Sequence, residues 1–305
     1  MKKELIAHFN PKSPVSEMFR TLRTNIQFMS SDKELKTLLV TSTAPGEGKS
    51  WTSSNLAVTF AQAGQRVVLV DADMRKGRQF NIFGISPRPG LSNYLSGIIG
   101  DTNGKDKDDL SNYIQQTEVN NLFVMPAGDV PPNPSELLVS SKMRRLVKEL
   151  REVCDVIILD APPSLVVTDA NILARIADST IIVVAQNETK YDSLEKVKKS
   201  IEKVGGKIAG VVLNKVPVDP KKYENSYYYG STTPLSASRK SNMSRKEVTQ
   251  MEIERKSREN KDRMINILDS DKRTPTRVND VDNDILSQMN EYLEQEKRRL
   301  KSDGE

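Results

Sequence analysis

The sequence predicts an α/β fold, a doubly wound and mostly parallel sheet, and three observations carry that prediction. Short β-branched runs recur from residue 37 onward, each followed by a turn and a helical stretch. The runs are apolar along their length instead of alternating, as strands covered on both faces require. The first run is joined to the first helical stretch by a glycine-rich turn, TAPGEGKS.

Taken in order, residues 1–36 read as an arm. Ser16 is the expected helix N-cap, and Glu17 through Phe28 follow with Met18, Leu22, Ile26 and the stem of Arg23 at near-helical spacing. The predicted strands are LLVTS (38–42), VVLVDAD (67–73), LFVMP (122–126), VIILDAP (156–162), STIIVVA (179–185) and IAGVVLN (208–214). Amphipathic helices are predicted over Ser50–Ala63, stopped by Gly64, and over Tyr191–Lys203, stopped by Gly205 and Gly206. The insert Gly100–Asp109 is a polar surface loop. These elements divide the chain into an arm (1–36), a nucleotide-binding domain (37–220), a tyrosine cluster (221–230) and a charged extension (231–305).

Composition narrows the class. Hydrophobic residues make up 36% and charged residues 29%, against about 45–50% and about 25% for an ordinary globular chain, so part of the sequence is expected not to pack. That part is the extension, a disordered or partly helical tail by its pattern, where 16 Lys and Arg nearly balance 15 Asp and Glu. Near-cancelling charges and the lack of interleaved aromatics argue against nucleic acid as a partner. A net charge of +5 is mild for the length. No apolar stretch approaches the ~20 residues of a membrane span, and no hydrophobic run follows the two N-terminal lysines, so a cytoplasmic chain is expected. The one cysteine, Cys154, precedes an apolar run and reads as a small buried hydrophobe. The lone His8 has no metal-ligand neighbours.

The chemistry centres on Thr43, Ala44, Pro45, Gly46, Glu47, Gly48, Lys49 and Ser50. Glycines let successive N–H groups turn inward to phosphate oxygens, and the helix N-terminus adds partial positive charge. Lys49 would reach the β- and γ-phosphates of a nucleotide triphosphate, and Ser50 would place its hydroxyl on Mg²⁺. The usual first glycine of such a loop is replaced by Thr43. Two further motifs end strands: Asp71-Ala-Asp73-Met-Arg75 and Asp160-Ala-Pro-Pro163. In open α/β sheets, ligands lie at those carboxyl ends. Hard Mg²⁺ takes oxygen ligands, so Ser50 and Asp160 could hold it, with Asp73 on the metal or behind it. Asn214 ends the last strand; it is either a donor to an adenine edge or a turn residue. Trp51, the residue after Ser50, closes the expected nucleotide-binding stretch and is expected to pack against the sheet.

Together TAPGEGKS, VVLVDADMR, IILDAPP and the tyrosine cluster YENSYYYG resemble the bacterial tyrosine kinases of capsule and exopolysaccharide synthesis. SEMFRTLRTNI (16–26) and PAGDVPPNPSELL (126–138) extend the resemblance to about residues 10–230. The resemblance implies a P-loop NTPase fold of the ParA/MinD-like kind and ATP with Mg²⁺ at the site. It implies that Asp71 and Asp73 serve the metal and the incoming hydroxyl, with Asp71 as base, and that Asp160 completes the metal site. It further implies autophosphorylation in trans on Tyr223, Tyr227, Tyr228 and Tyr229, in a homo-oligomeric ring assembled through Glu17, Arg20 and Arg23. A membrane-embedded chain-length regulator would anchor and activate the kinase at the inner membrane face, and a cognate tyrosine phosphatase would reverse it. Members of that family usually end shortly after the cluster, whereas this chain continues to residue 305.

A tether fits an acceptor role: an unpacked tyrosine next to a neighbouring site has a high effective concentration there. Each phosphate adds about −1.5 to −2 charges, enough in a cluster to eject the segment. Two other readings keep the loop and the acids. One is a partitioning or division-site switch, which carries a second lysine where this chain has Ala44. The other is a nucleotide-gated scaffold without chemistry.

Overall fold

The computed structural model of the chain describes residues 4–29, 35–97 and 109–217. The tyrosine cluster, the extension 231–305 and all of the polar insert except Asp109 lie outside the described residues.

The strands are β1 (Thr37–Ser42), β2 (Val67–Asp71), β3 (Gln115–Gln116), β4 (Leu122–Met125), β5 (Val156–Asp160), β6 (Ser179–Ala185) and β7 (Ile208–Asn214). They form one 7-stranded sheet in the order β3-β4-β2-β5-β1-β6-β7. All neighbours are parallel except β3, which runs antiparallel to β4. The six apolar runs are thus six parallel strands, and the expected doubly wound sheet is the fold. β3 is a two-residue polar edge with no apolar signature. The acidic and proline ends of the runs at 67–73 and 156–162 leave the ladder after Asp71 and Asp160, where the chain turns into loops.

The unbroken apolar runs follow from covering on both faces. Leu39, Val68, Val70, Ile157 and Leu159 point into one core layer. Their chain neighbours Leu38, Val40, Val67, Leu69 and Ile158 point into the other. With a side-chain period of two, both sets must be apolar.

The helices are α1 (Ile6–Phe9), α2 (Pro14–Phe28), α3 (Lys49–Gln62), α4 (Gln79–Phe83), α5 (Leu91–Ser96), α6 (Pro134–Val139), α7 (Ser141–Val153), α8 (Asp169–Ala174) and α9 (Tyr191–Lys203). Helix α2 begins earlier than expected. Its N-cap is Ser13, which accepts from the Ser16 N–H at 3.1 Å, and Pro14 occupies the first turn. Proline there loses no helical hydrogen bond, which favours this start over Ser16. Ser16 lies inside the helix and its hydroxyl donates to the carbonyls of Ile6 and Asn10. The buried residues are Ser16, Phe19 and Ile26, with Leu22 packed against the same core layer, so the expected stripe holds at Leu22 and Ile26 and fails at Met18, which is 41% exposed while Phe19 takes the buried place.

Helix α3 also departs from expectation. It is buried on nearly every side, from Ser50 through Ala61, because α1 and α2 cover the face turned away from the sheet. Its small polar residues suit that position. Ser53 donates to the Lys49 carbonyl at 3.0 Å and Thr59 to that of Leu56 at 2.8 Å. Asn55 accepts from the Ala7 N–H at 3.0 Å and donates to the Glu4 carbonyl at 2.8 Å, pinning the arm.

Candidate active site

Strand register assembles the site. Asp71 on β2 lies directly opposite Asp160 on β5, and Asp160 lies opposite Val40 on β1. Parallel neighbours run about 4.8 Å apart, so both carboxylates emerge side by side, two residues before β1 ends at Ser42 and the loop begins. The loop then enters α3 at Lys49.

Glu47 shapes the loop. Its buried carboxylate accepts from the N–H groups of Thr43 at 2.6 Å and Ala44 at 2.9 Å, and from the Thr43 hydroxyl at 2.7 Å. The Thr189 hydroxyl, in the loop between β6 and α9, donates to the same carboxylate. Thr43, in place of the usual glycine, therefore adds a hydroxyl to this brace. Ala44, Pro45 and Gly46 form the exposed rim. Asn214 donates to the Glu47 carbonyl at 2.8 Å. Gly48 has φ +95°, and a Cβ there would stand 2.0 Å from the Asn214 amide nitrogen. Only glycine fits both the left-handed turn and that approach. Asn214 thus clamps the loop.

Lys49 reaches back across the loop. Its Nζ lies 2.9 Å from Asp73 Oδ2, 3.9 Å from Asp160 Oδ1 and 3.2 Å from the Ser50 hydroxyl. Burial works to lower its pKa, but the carboxylates of Asp160 and Asp73 outweigh it and hold the ammonium charged. Asp73 accepts in turn from the Lys76 N–H at 3.0 Å. Asp71 is fully buried. Burial first, and the adjacent Asp160 carboxylate second, push its pKa up to about 8.

One residue between the acids had no pattern to mark it. Gln79, fully buried at the start of α4, donates its backbone N–H to Asp71 Oδ2 at 2.9 Å and its side-chain amide to Asp160 Oδ2 at 2.8 Å. The other oxygen of each acid, Asp71 Oδ1 and Asp160 Oδ1, is buried without a hydrogen-bond partner. Arg75 leaves the same turn to pair with Asp169 of α8 at 3.0 Å and to donate to Ser135 of α6 at 3.0 Å. That ties together the loops that follow β2, β4 and β5.

The donor set fits Mg²⁺. Buried carboxylate oxygens without partners, beside a serine hydroxyl and an ammonium, are hard oxygen ligands next to a phosphate cradle. Among the described residues no cluster of three or more His, Cys, Asp or Glu forms a metal cage by itself. Mg²⁺ is ordinarily held by one or two carboxylates together with substrate phosphates.

The structure brings together the loop 43–50, Asp71, Asp73, Asp160 and Asn214. Trp51 is partly buried against the core layer that the sheet shares with the arm, and it meets Phe19 of α2 edge to face, ring centres 5.1 Å apart. The aromatic pair joins the arm to α3. Glu17, Arg20 and Arg23 lie on α2. Arg20 pairs with Glu17, and Arg23 donates to the Thr59 carbonyl at 2.9 Å. Cys154 is buried, and burial raises its thiol pKa, as for a packed hydrophobe. No helix among the described residues is long and apolar enough to cross a membrane.

Comparison with known proteins agrees with this geometry. A family described as "AAA domain" matches residues 35–212. The putative tyrosine-protein kinase CapB of Staphylococcus aureus is 42% identical over 226 residues, 74% of this chain and 95% of that protein. The tyrosine-protein kinase YwqD of Bacillus subtilis is 37% identical over 76% of this chain and 93% of its own length. Among solved structures, the chimerical protein CapA2B2 superposes with a TM-score of 0.65 at 39% identity, covering 71% of this chain and 91% of that one. The kinase domain of the Escherichia coli tyrosine kinase ETK gives 0.65 at 34% identity, covering 70% and 81%.

Proposed function

Because the chain belongs to the bacterial tyrosine kinases, we propose that it transfers the γ-phosphoryl group of ATP to tyrosine hydroxyls, its own cluster among them, in the service of capsule or exopolysaccharide synthesis. The carrying observation is the convergence of Lys49, Ser50, Asp71, Asp73 and Asp160 on one cradle, with two buried carboxylate oxygens unspent.

In this reading the loop N–H groups and Lys49 hold the phosphates, and Ser50, Asp160 and Asp73 hold Mg²⁺. Bound Mg²⁺ neutralises charge on the β- and γ-phosphoryl oxygens and favours the ionised form of nearby Asp71. Asp71 takes the proton of the incoming phenol while its oxygen forms the new bond to phosphorus. The bond from phosphorus to the β-phosphate oxygen breaks, and ADP leaves. A cleft of about 240 Å³ lined by Ala185, Thr189, Tyr191, Leu194 and Leu213, next to Asn214, would take the adenine.

The acceptors are Tyr223, Tyr227, Tyr228 and Tyr229, delivered from a neighbouring copy in a ring built through Glu17, Arg20 and Arg23. Supporting this are the position of the cluster, shortly after β7, and the setting of the three charged residues on α2. A membrane-embedded regulator holds the chain at the inner membrane face, and a tyrosine phosphatase resets it.

The test is incubation with ATP and Mg²⁺, read with a phosphotyrosine antibody and by mass-spectrometric mapping. The expected result is phosphate on the cluster, lost when all four tyrosines are changed to phenylalanine and lost in Asp71→Asn. ATP turnover without phosphotyrosine, with a regulator segment present, would support the switch instead.

A further inference from the structure

We propose that Gln79 is a positioning residue for the reaction: it holds Asp71 and Asp160 each by one oxygen and so directs their other oxygens to the metal and the incoming hydroxyl. The inference rests on the phosphoryl-transfer reading above and adds a residue to it.

The Asp160 half of this arrangement needs the glutamine side chain, and the Asp71 half uses the backbone of the same residue. Two acids side by side on adjacent strands repel when ionised, and nothing in the ladder fixes their rotation. Gln79 supplies a donor to each. The backbone N–H takes Asp71 Oδ2 at 2.9 Å, and Nε2 takes Asp160 Oδ2 at 2.8 Å. The same amide is held from behind. Its Oε1 accepts from the Ser54 hydroxyl at 2.7 Å, and Nε2 also lies 3.2 Å from the Ser50 carbonyl and 3.3 Å from the Ser53 hydroxyl. Ser54 and Ser53 belong to α3, whose first turn carries Lys49 and Ser50. Gln79 therefore ties the two acids to the helix that presents the phosphate-binding lysine and the metal-binding serine. Each carboxylate is left with one oxygen, Oδ1, that has no hydrogen-bond partner, and that of Asp160 faces Lys49 Nζ at 3.9 Å. A group that orients a ligand in this way commonly governs metal affinity and rate without touching substrate.

Gln79→Met, of similar length, removes every side-chain donor and keeps the backbone bond to Asp71. Gln79→His keeps a ring N–H within reach of Asp160. The readout is Mg²⁺-dependent ADP binding followed by the fluorescence of Trp51, the single tryptophan, which directly follows the metal-binding serine. Phosphotyrosine formation is measured in parallel for kcat and for KM of ATP. The expected result in Gln79→Met is a Mg²⁺ half-saturation point raised about 10–100-fold and a kcat lowered by a similar factor. ADP affinity in EDTA should stay within about twofold, and Gln79→His should recover most of the loss. If Gln79→Met does not fold, Gln79→Asn, which withdraws the amide from Asp160 by one methylene, carries the same expectation. Unchanged Mg²⁺ half-saturation and kcat in a folded variant would overturn the inference, as would an equal loss of ADP affinity in EDTA. Failure of the unmodified protein to bind ADP with Mg²⁺ would instead sink the underlying reading.

Discussion

Lys49→Met is the obvious way to disable this site, and the structure predicts that it does more than that. The ammonium sits 2.9 Å from Asp73 and 3.9 Å from Asp160, with side-chain exposures of 13%, 5% and 0% for the three residues. Removing one member of a buried ion pair costs about 3–5 kcal/mol, because the remaining charge stays unpaired. A domain of this size shifts by roughly 2–4 °C per kcal/mol, so melting should fall by about 6–20 °C. The loss should depend on pH. Asp71 already stands at about 8, raised by burial and by Asp160, and Lys49 acts against that rise. A carboxyl whose folded pKa exceeds its unfolded value of 3.8 takes stability away as pH climbs from the lower value through the higher. Without Lys49 the folded value climbs further, so the share of the penalty that passes through Asp71 should be negligible at pH 5.5 and largest near pH 8.5, on top of the ion-pair loss. Calorimetry in EDTA, with Lys49→Met/Asp73→Asn as the partial rescue, measures it. A variant melting within about 2 °C of the unmodified protein at pH 8.5 would refute the reasoning. Loss of phosphotyrosine in Lys49→Met therefore says little about chemistry unless folding is measured alongside.

Asp71→Asn should behave in the opposite way. Its amide oxygen can still accept from the Gln79 N–H, the buried charge disappears, and melting in EDTA should rise, more at pH 8.5 than at pH 6. Phosphotyrosine formation in the same variant should fall by about 10²–10⁴, the usual worth of a general base. Arg75→Ala should lower melting, since it strands the fully buried Asp169 with only Ser135 to donate, and Asp169→Asn in that background should restore part of the loss. Arg75→Lys should not substitute, because one ammonium cannot reproduce the two-point guanidinium contact.

Six parallel strands were legible because burial on both faces demands apolar residues at every position, a pattern that solvent-facing segments rarely imitate. The acids were legible by their number and place: one aspartate at a strand end is commonly a cap or a turn residue, but three at the carboxyl ends of strands beside a phosphate loop converge on a ligand. Gln79 was not, because its role comes from α4 folding back over the strand ends, and a glutamine eight residues beyond Asp71 has no period or charge to announce it. Phe19 as the partner of Trp51, and the exposure of Met18, were not legible. A sequence reads α3 against a single neighbour, whereas the arm supplies a second, and Phe19 of α2 meets the Trp51 ring there. Glu47 was read as part of the cradle, but its work as the internal brace through Thr189 depends on a loop 142 residues away.

That second neighbour bears on how the ring proposal can be tested. Glu17, Arg20 and Arg23 share α2 but differ in what they already do within one chain. The Arg20–Glu17 pair is about a third exposed on both sides, at 31% and 37%, and a pair of that kind is worth about 0–1 kcal/mol. Arg23 instead donates to the Thr59 carbonyl at 2.9 Å, near the end of α3, the helix whose other end begins with Lys49. Losing that bond in a half-buried setting costs about 1–3 kcal/mol. Arg23→Ala would therefore loosen the arm and α3 together, and a smaller assembly in that variant could follow from either. Glu17→Ala/Arg20→Ala removes this pair and the exposed bond from Arg20 to the Pro11 carbonyl while leaving Arg23 bonded to α3. Its melting point, measured at dilutions where no ring persists, should match the unmodified protein to within about 4 °C. In sedimentation velocity at higher concentration its large species should be lost. If the double variant keeps the same large species, the two residues are no more than a solvated pair on a helix face, and the contact surface lies elsewhere on the chain.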